Sequence, residues 1–138
     1  MYLTKEKFSL KDLAEVHLRS PRVLLVINEE TLRNIYRKHL ETENFFVNPV
    51  EFSEIFEVYE GVKDADILIL DFEVSVFYQR LDFLKSLRKA FPGLPVVTVG
   101  ESLGEDMLTM LMSAGIVGHI DRKYTRPQDL LCLIKTVI

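Results

Sequence analysis

Asp71 closes the run Ala65-Asp66-Ile67-Leu68-Ile69-Leu70-Asp71, an apolar stretch rich in strand formers. Such a run reads as a fully buried parallel strand bounded by polar residues. A carboxylate at the carboxyl end of a central strand stands where ligands bind and chemistry occurs in open α/β sheets. Asn28-Glu29-Glu30 ends an earlier run of the same kind, Arg22-Val23-Leu24-Leu25-Val26-Ile27. Two acidic strand ends meeting in one crevice would suit a hard cation, which takes oxygen ligands. Other chemistries lack their residues. No glycine-rich phosphate loop follows the first run, and no Gly-x-Ser-x-Gly elbow occurs. Three histidines, His17, His39 and His119, and the one cysteine give no zinc spacing.

The elements that must position these groups alternate along the chain. Strand candidates cover residues 23–27, 45–47, 67–70, 94–99 and 117–120. Helical spacing appears between them: Leu32, Ile35, Tyr36 and Leu40; Phe52, Ile55, Phe56 and Tyr59; Phe77, Leu81, Leu84, Leu87 and Phe91. Pro49 is expected to open the second helix and Gly61 to end it. Ser102-Leu103-Gly104-Glu105 has capping-box spacing ahead of a helix that Gly115 would close, and Thr125-Arg126-Pro127-Gln128 repeats the pattern before Leu130, Leu131, Leu133, Ile134 and Val137. Five βα units follow. Parallel strands need crossover helices, so the expected architecture is a three-layer α/β domain with helices on both faces of a parallel sheet.

Bulk properties agree with one such domain. The chain has 138 residues, 48% of them hydrophobic and 28% charged, which is ordinary for a globular protein of that size. A net charge of −4 leaves no basic footprint for nucleic acid. No stretch approaches the roughly 20 apolar residues that span a membrane, and the charged start lacks the apolar core of a secretion signal. With a single cysteine, Cys132, no intramolecular disulfide forms, and a cytoplasmic protein is expected. Residues 22–138 carry the five units. Residues 1–21 form an N-terminal extension in which Leu10, Leu13, Ala14 and His17 would line one face of a short helix, packing on this domain or on a second copy to give a homodimer.

Across residues 22–138 the chain resembles the receiver domain of two-component response regulators. The resemblance is carried by the five-unit order, the polar cluster after the first strand, the lone Asp71 after the third, and Ser113-Ala114-Gly115 ahead of a short strand and a basic residue. It implies a flavodoxin-like (βα)5 fold with sheet order 2-1-3-4-5. It implies Asp71 as acceptor of a phosphoryl group from a histidine kinase, and Asn28, Glu29 and Asp71 as ligands of Mg²⁺, with Glu30 beside them. Gly100 falls where the family has a Thr or Ser that bonds the phosphoryl group. Arg122, with Lys123 adjacent, falls at the family's phosphoryl-pairing lysine, and His119 at an aromatic switch position. The implied partners are proteins, a histidine kinase or a downstream signalling protein, with neither nucleic acid nor membrane.

The departures from the family have physical consequences. Mg²⁺ demands near-octahedral oxygen geometry, and Asn28 brings a carbonyl oxygen but no negative charge. Glu29 is longer than Asp and loses more rotamer freedom when fixed. Gly100 has no hydroxyl. Arg122 keeps a positive charge in a planar fork unlike an ammonium. A degenerate receiver follows, with weak Mg²⁺ binding and weak or absent phosphorylation, signalling by contact and catalysing no turnover. Plainer roles stand beside these: Asp71, Asn28 and Glu29 as helix caps, Arg122 as an ion-pair partner of Asp71, His119 as a satisfied histidine and Cys132 as a packed thiol. The methionines Met107, Met110 and Met112 would divide between core and surface. The segment Asp71-Phe72-Glu73-Val74-Ser75 also resembles the Asp-x-Asp-x-Thr/Val motif of haloacid-dehalogenase-like phosphatases, with Glu73 in place of the second Asp, and Asp71 would then be a nucleophile.

Overall fold

The computed structural model describes residues 20–123 and 126–138. The extension 1–21 therefore lies outside the described residues except for Ser20 and Pro21, as does Thr125 of the second capping-box pattern. Five strands, β1 (Arg22–Val26), β2 (Phe46–Val50), β3 (Ile67–Phe72), β4 (Val96–Gly100) and β5 (Gly118–Asp121), alternate with helices α1 (Glu30–Thr42), α2 (Ile55–Asp64), α3 (Phe77–Ala90), α4 (Glu105–Ser113) and α5 (Pro127–Val137). A short 3-10 turn, Val74–Val76, precedes α3. All strand pairs are parallel, and the sheet order is β2-β1-β3-β4-β5. The expected three-layer, flavodoxin-like architecture is the one observed.

β3 lies between β1 and β4, and all six of its residues are buried, which accounts for its continuous apolar run. Its side chains alternate between two cores. Leu68, Leu70 and Phe72 join Val58, Val62, Leu81, Leu84 and Leu111 from α2, α3 and α4. Ile67 and Ile69 join Tyr36 and Leu40 of α1 and Leu130, Leu131 and Ile134 of α5. Each fully buried Leu, Ile or Val stabilises the fold by roughly 1.5–3 kcal/mol relative to exposure. The two cores fix β3 from both sides, and with it the position of Asp71. Among the described residues, no helix is long and apolar enough to cross a membrane.

Local expectations are corrected in four places. Pro49 lies inside β2, paired with Leu25, and does not open a helix. β2 is an edge strand, where a residue without an N–H leaves no ladder bond unmade on its open side. Gly61 lies within α2 rather than ending it. A Cβ there would come 2.7 Å from Leu24 Cδ1, so the residue lets the helix approach β1 closely. Ser102 does not cap α4, whose N-cap is Gly104; its hydroxyl donates to the Asp121 carboxylate instead, tying the loop after β4 to the end of β5. Cys132 is exposed. The stripe that α5 buries runs through Leu130, Leu131 and Ile134, and the 100° step per residue turns position 132 outward. The methionines do divide: Met107 and Met110 pack against the core, while Met112 is 55% exposed.

Candidate functional site

β1, β3, β4 and β5 end at the same edge of the sheet, and their ends define one crevice. Asp71 stands beside Val99, and Phe72 beside Gly100. The Asn28 N–H, just past β1, donates to Asp71 Oδ2 at 2.8 Å. The Arg122 N–H, just past β5, donates to Gly100 O at 2.9 Å. Asp71, Asn28, Gly100 and Arg122 thus converge as expected. Glu29 follows Asn28 as the N-cap of α1 and is exposed.

Asp71 is only 4% exposed, and its cationic partner is a residue that sequence reasoning passed over. Arg80, in the first turns of α3, is 5% exposed. Its Nη2 lies 3.2 Å from Asp71 Oδ1. The contact is an ion pair without hydrogen-bond alignment, since Oδ1 and Arg80 Nε are both buried without a hydrogen-bond partner. The guanidinium also stacks on Phe52, its Cζ 3.6 Å from the ring centroid, a cation–π contact favoured by desolvation. Phe52 in turn meets Phe83 edge-on at 5.0 Å, and Tyr59 meets Phe83 at 5.7 Å.

The anticipated Arg122–Asp71 ion pair is not the one present. Arg122 lies 3.7 Å from Glu73 in a half-exposed pair. Pairs of that kind contribute little stability, but the charge still favours the ionised form of Asp71 from a distance. Arg80 takes the inner position because α3 starts close behind β3 and its apolar stripe, Phe77, Leu81 and Leu84, carries Arg80 inward with it.

Asn28 does more than line the crevice. Its Oδ1 accepts the Phe52 N–H at 2.8 Å, which fixes the loop between β2 and α2. A circuit closes: Asn28 holds Asp71 by its backbone and Phe52 by its side chain, Phe52 covers Arg80, and Arg80 faces Asp71. Arg33 reinforces the same loops. Its Nη1 donates to Ile27 O at 2.7 Å and Asn28 O at 3.2 Å, and its Nη2 lies 3.6 Å from Glu51 Oε1. The helix-cap role for Asn28 and Glu29 is not observed, since the α1 N-cap has no side-chain hydrogen bond.

Burial dominates the electrostatics. It pushes the Asp71 carboxyl above the usual range, against the Asn28 N–H and then the Arg80 charge, which favour the carboxylate. Burial likewise lowers the Arg80 guanidinium from its ordinary value, opposed by Asp71 and Glu73. Both directions mark a pair desolvated more fully than its mutual attraction offsets.

The β4–β5 side of the crevice is also tied up. His119 Nε2–H donates to Glu101 O at 2.9 Å, and the buried Thr98 hydroxyl lies 2.8 Å from His119 Nδ1. Because a carbonyl only accepts, the neutral tautomer with Nε2 protonated lets the Thr98 hydroxyl donate to Nδ1. His119 is therefore a satisfied histidine bridging β4 and β5. Lys123 donates its backbone N–H to Asp121 Oδ1 at 2.9 Å, which shapes the loop after β5.

The residues do not fit a divalent-metal site in this conformation. Among the described residues no group of three or more His, Cys, Asp or Glu side chains is placed to share a metal ion. Asn28 Oδ1 is engaged by Phe52, and the cation beside Asp71 is a guanidinium.

The fold, with its crevice at the carboxyl ends of the strands, is the one that receiver domains share. Solved structures bear this out at the level of the fold. The chain is similar to a response regulator from Thermotoga maritima (24% identity, TM-score 0.74, 87% of this chain and 98% of that one). It is similar to an orphan response regulator of H. pylori (18%, TM-score 0.72, 85% and 95%). It also matches an atypical orphan response regulator described as revealing a phosphorylation-independent regulatory mechanism (17%, TM-score 0.70, 83% and 92%). No family model and no curated protein matches the chain. The phosphatase reading gains no support from these neighbours. Asp71 lies near the end of the third strand, whereas the phosphatase motif normally follows the first, and Glu73 at the second-acid position faces Arg122.

Proposed function

We propose that the chain is an atypical receiver domain of phosphorelay signalling that acts through protein–protein contacts, with Asp71 weakly phosphorylated or not at all. The observation that carries this reading is the enclosure of Asp71, with one oxygen bonded to the Asn28 N–H and the other against Arg80. Phosphoryl transfer depends on an exposed, correctly placed nucleophile and on neutralisation of the transferring group. Here the nucleophile is covered, and Gly100 offers no hydroxyl to the product. Arg122 and Lys123, the basic residues after β5, keep charge near the crevice mouth and would pair with any phosphoryl group that entered. Mg²⁺ binding through Asn28, Glu29 and Asp71 is correspondingly weak.

The partners in this reading are a histidine kinase or a downstream signalling protein, and a second copy of the chain is a further candidate. By resemblance the contact surface comprises α4, β5 and α5, where Met112 of α4 and Val117, just before β5, are exposed apolar residues. The test is chemical. With acetyl phosphate and Mg²⁺, intact mass is expected to show only slow, fractional addition of one phosphoryl group. Rapid and near-complete addition, abolished by Asp71→Ala, would overturn the reading.

A further inference from the structure

We infer that residues 1–19 fold back onto their own domain and fill the groove between α2 and the open edge of β2. The inference goes beyond the proposed function and uses none of the crevice residues. β2 has a neighbouring strand on one side only. At its amino end Phe46 is 54% exposed, with the Arg22 guanidinium carbon 4.9 Å from its ring centroid. A cleft beside it is lined by Leu24, Phe46, Gly61 and Ala65. Towards the carboxyl end of β2 the groove continues between Pro49 and Val50 of the strand and Glu54, Glu57 and Glu60 along α2. Asn48, Gly61 and Asp64 line both stretches, so the two are continuous. Glu60 pairs with Lys63, whereas Glu57 and Asp64 have no ion-pair partner among the described residues. An apolar start followed by an acidic wall fits an occupant that carries both apolar and cationic side chains.

The backbone of the edge argues against a strand as that occupant. The Phe46 N–H donates to Pro21 O, and Val50 O accepts the Ile27 N–H. Alternate residues of a parallel strand turn both backbone groups to the same side, so 46, 48 and 50 face β1 while 47 and 49 face outward. Pro49 has no N–H, which leaves Val47 as the outward donor of β2. A strand added by a partner or by a second copy would find too few donors for the main-chain ladder on which strand addition depends. Side-chain packing by a helical or irregular segment has no such requirement.

Residues 1–19 meet the demands of the groove. They precede Ser20 and Pro21, and Pro21 O is bonded to the first residue of β2, so they join the domain at the groove's amino end. As a helix they would run roughly 28 Å, against about 17 Å for the strand, so reach is not limiting. Leu10, Leu13, Ala14 and His17 supply an apolar stripe that needs cover. Lys5, Lys7, Lys11 and Arg19 supply cations for the α2 carboxylates. The segment is net positive and the whole chain net negative. Attachment at Pro21 holds the segment at a high effective concentration, which favours it over a free partner and over a second copy.

The experiment places a nitroxide on the full chain through Ser9→Cys, in a Cys132→Ser background so that one thiol is present. Amide resonances of Phe46–Val50 and of residues 57–64 are expected to lose most of their intensity, while those of α4 and β5 keep theirs. Spin-labelled chain mixed with isotope-labelled chain should show no loss, as a contact within one chain requires. Leu10→Asp/Leu13→Asp added to the spin-labelled chain should restore the groove intensities. The unchanged protein supplies a second measurement. A carbodiimide, which joins an amine to a carboxylate, should link lysines of the segment to α2 carboxylates within one chain. Loss centred on α4 or β5, or no selective loss at all, overturns the inference. Loss that persists in the mixed sample, or links found only between two chains, also overturns it by assigning the groove to the segment of a second copy.

Discussion

Gly100→Ser, which places a hydroxyl where receiver domains have a Thr or Ser, is expected to destabilise the domain by about 3 kcal/mol rather than to create a switch. A Cβ at position 100 would sit 1.8 Å from Phe72 O and 2.9 Å from Phe72 C. Both are backbone atoms of the neighbouring strand, so no rotamer relieves the contact. Phe72 cannot withdraw, because its fully buried side chain packs edge-on against Phe77 at 5.7 Å. The missing hydroxyl is thus a consequence of how closely β3 and β4 approach at their carboxyl ends. Gly100→Ala should be damaged as much as Gly100→Ser, since the clash begins at Cβ. Urea midpoints of the two variants check this. A Gly100→Ser protein as stable as the parent would show that the strand ends are looser than described.

The second large effect belongs to the buried pair. Arg80→Met is expected to cost about 3–5 kcal/mol at neutral pH, because it leaves the Asp71 carboxylate enclosed without a cation. Asp71→Asn should cost a comparable amount by stranding the guanidinium. The double variant should lose clearly less than the sum, since neither charge is then left unpaired. The pH dependence has a definite sign. Burial raises the folded pKa of Asp71 above its unfolded value. Stability from the protonated carboxyl is then fully present below the unfolded value, about 3.9, and is lost as pH rises through the folded one. Removing Arg80 removes a charge that favours the carboxylate, so the loss deepens. Denaturation of Arg80→Met between pH 4 and pH 7, referenced to the double variant, should show it recovering stability on acidification. A flat difference would mean that Asp71 is not ionised inside the fold.

Much of this architecture was legible from residue patterns. The unbroken apolar run 67–70 could only be satisfied by burial on both faces, and β3 lies between two cores. Runs ending in Asn28 and Asp71 met at one edge because parallel strands bring their carboxyl ends together. Pro49 misled because its two permitted places, the first turn of a helix and an edge strand, look alike without knowledge of which strand is the edge. Gly61 misled because a close approach to Leu24 depends on a tertiary contact.

Arg80 was harder to read, although a signal existed. It stands three residues after Phe77 and four before Leu84, on the stripe that the helix must bury, so a charge at that position required a partner. Arg122, after β5, was the partner expected for Asp71. Distance decided otherwise, because Arg122 meets Glu73 first. Nothing in the spacing of Asn28 and Phe52, residues on different loops, could announce their hydrogen bond.

The most direct test of the proposed reading, an atypical receiver with Asp71 covered by its own arginine, is an amide chemical-shift comparison with and without beryllofluoride and Mg²⁺. A ligand shifts a conformational equilibrium only by its differential affinity for the two states, and here the hydroxyl and the open carboxylate that would supply that difference are missing or covered. Only small shifts close to Asn28 and Asp71 are expected. Large shifts running from Asp71 through residues 107–113 to His119 would reveal a working switch and contradict the account.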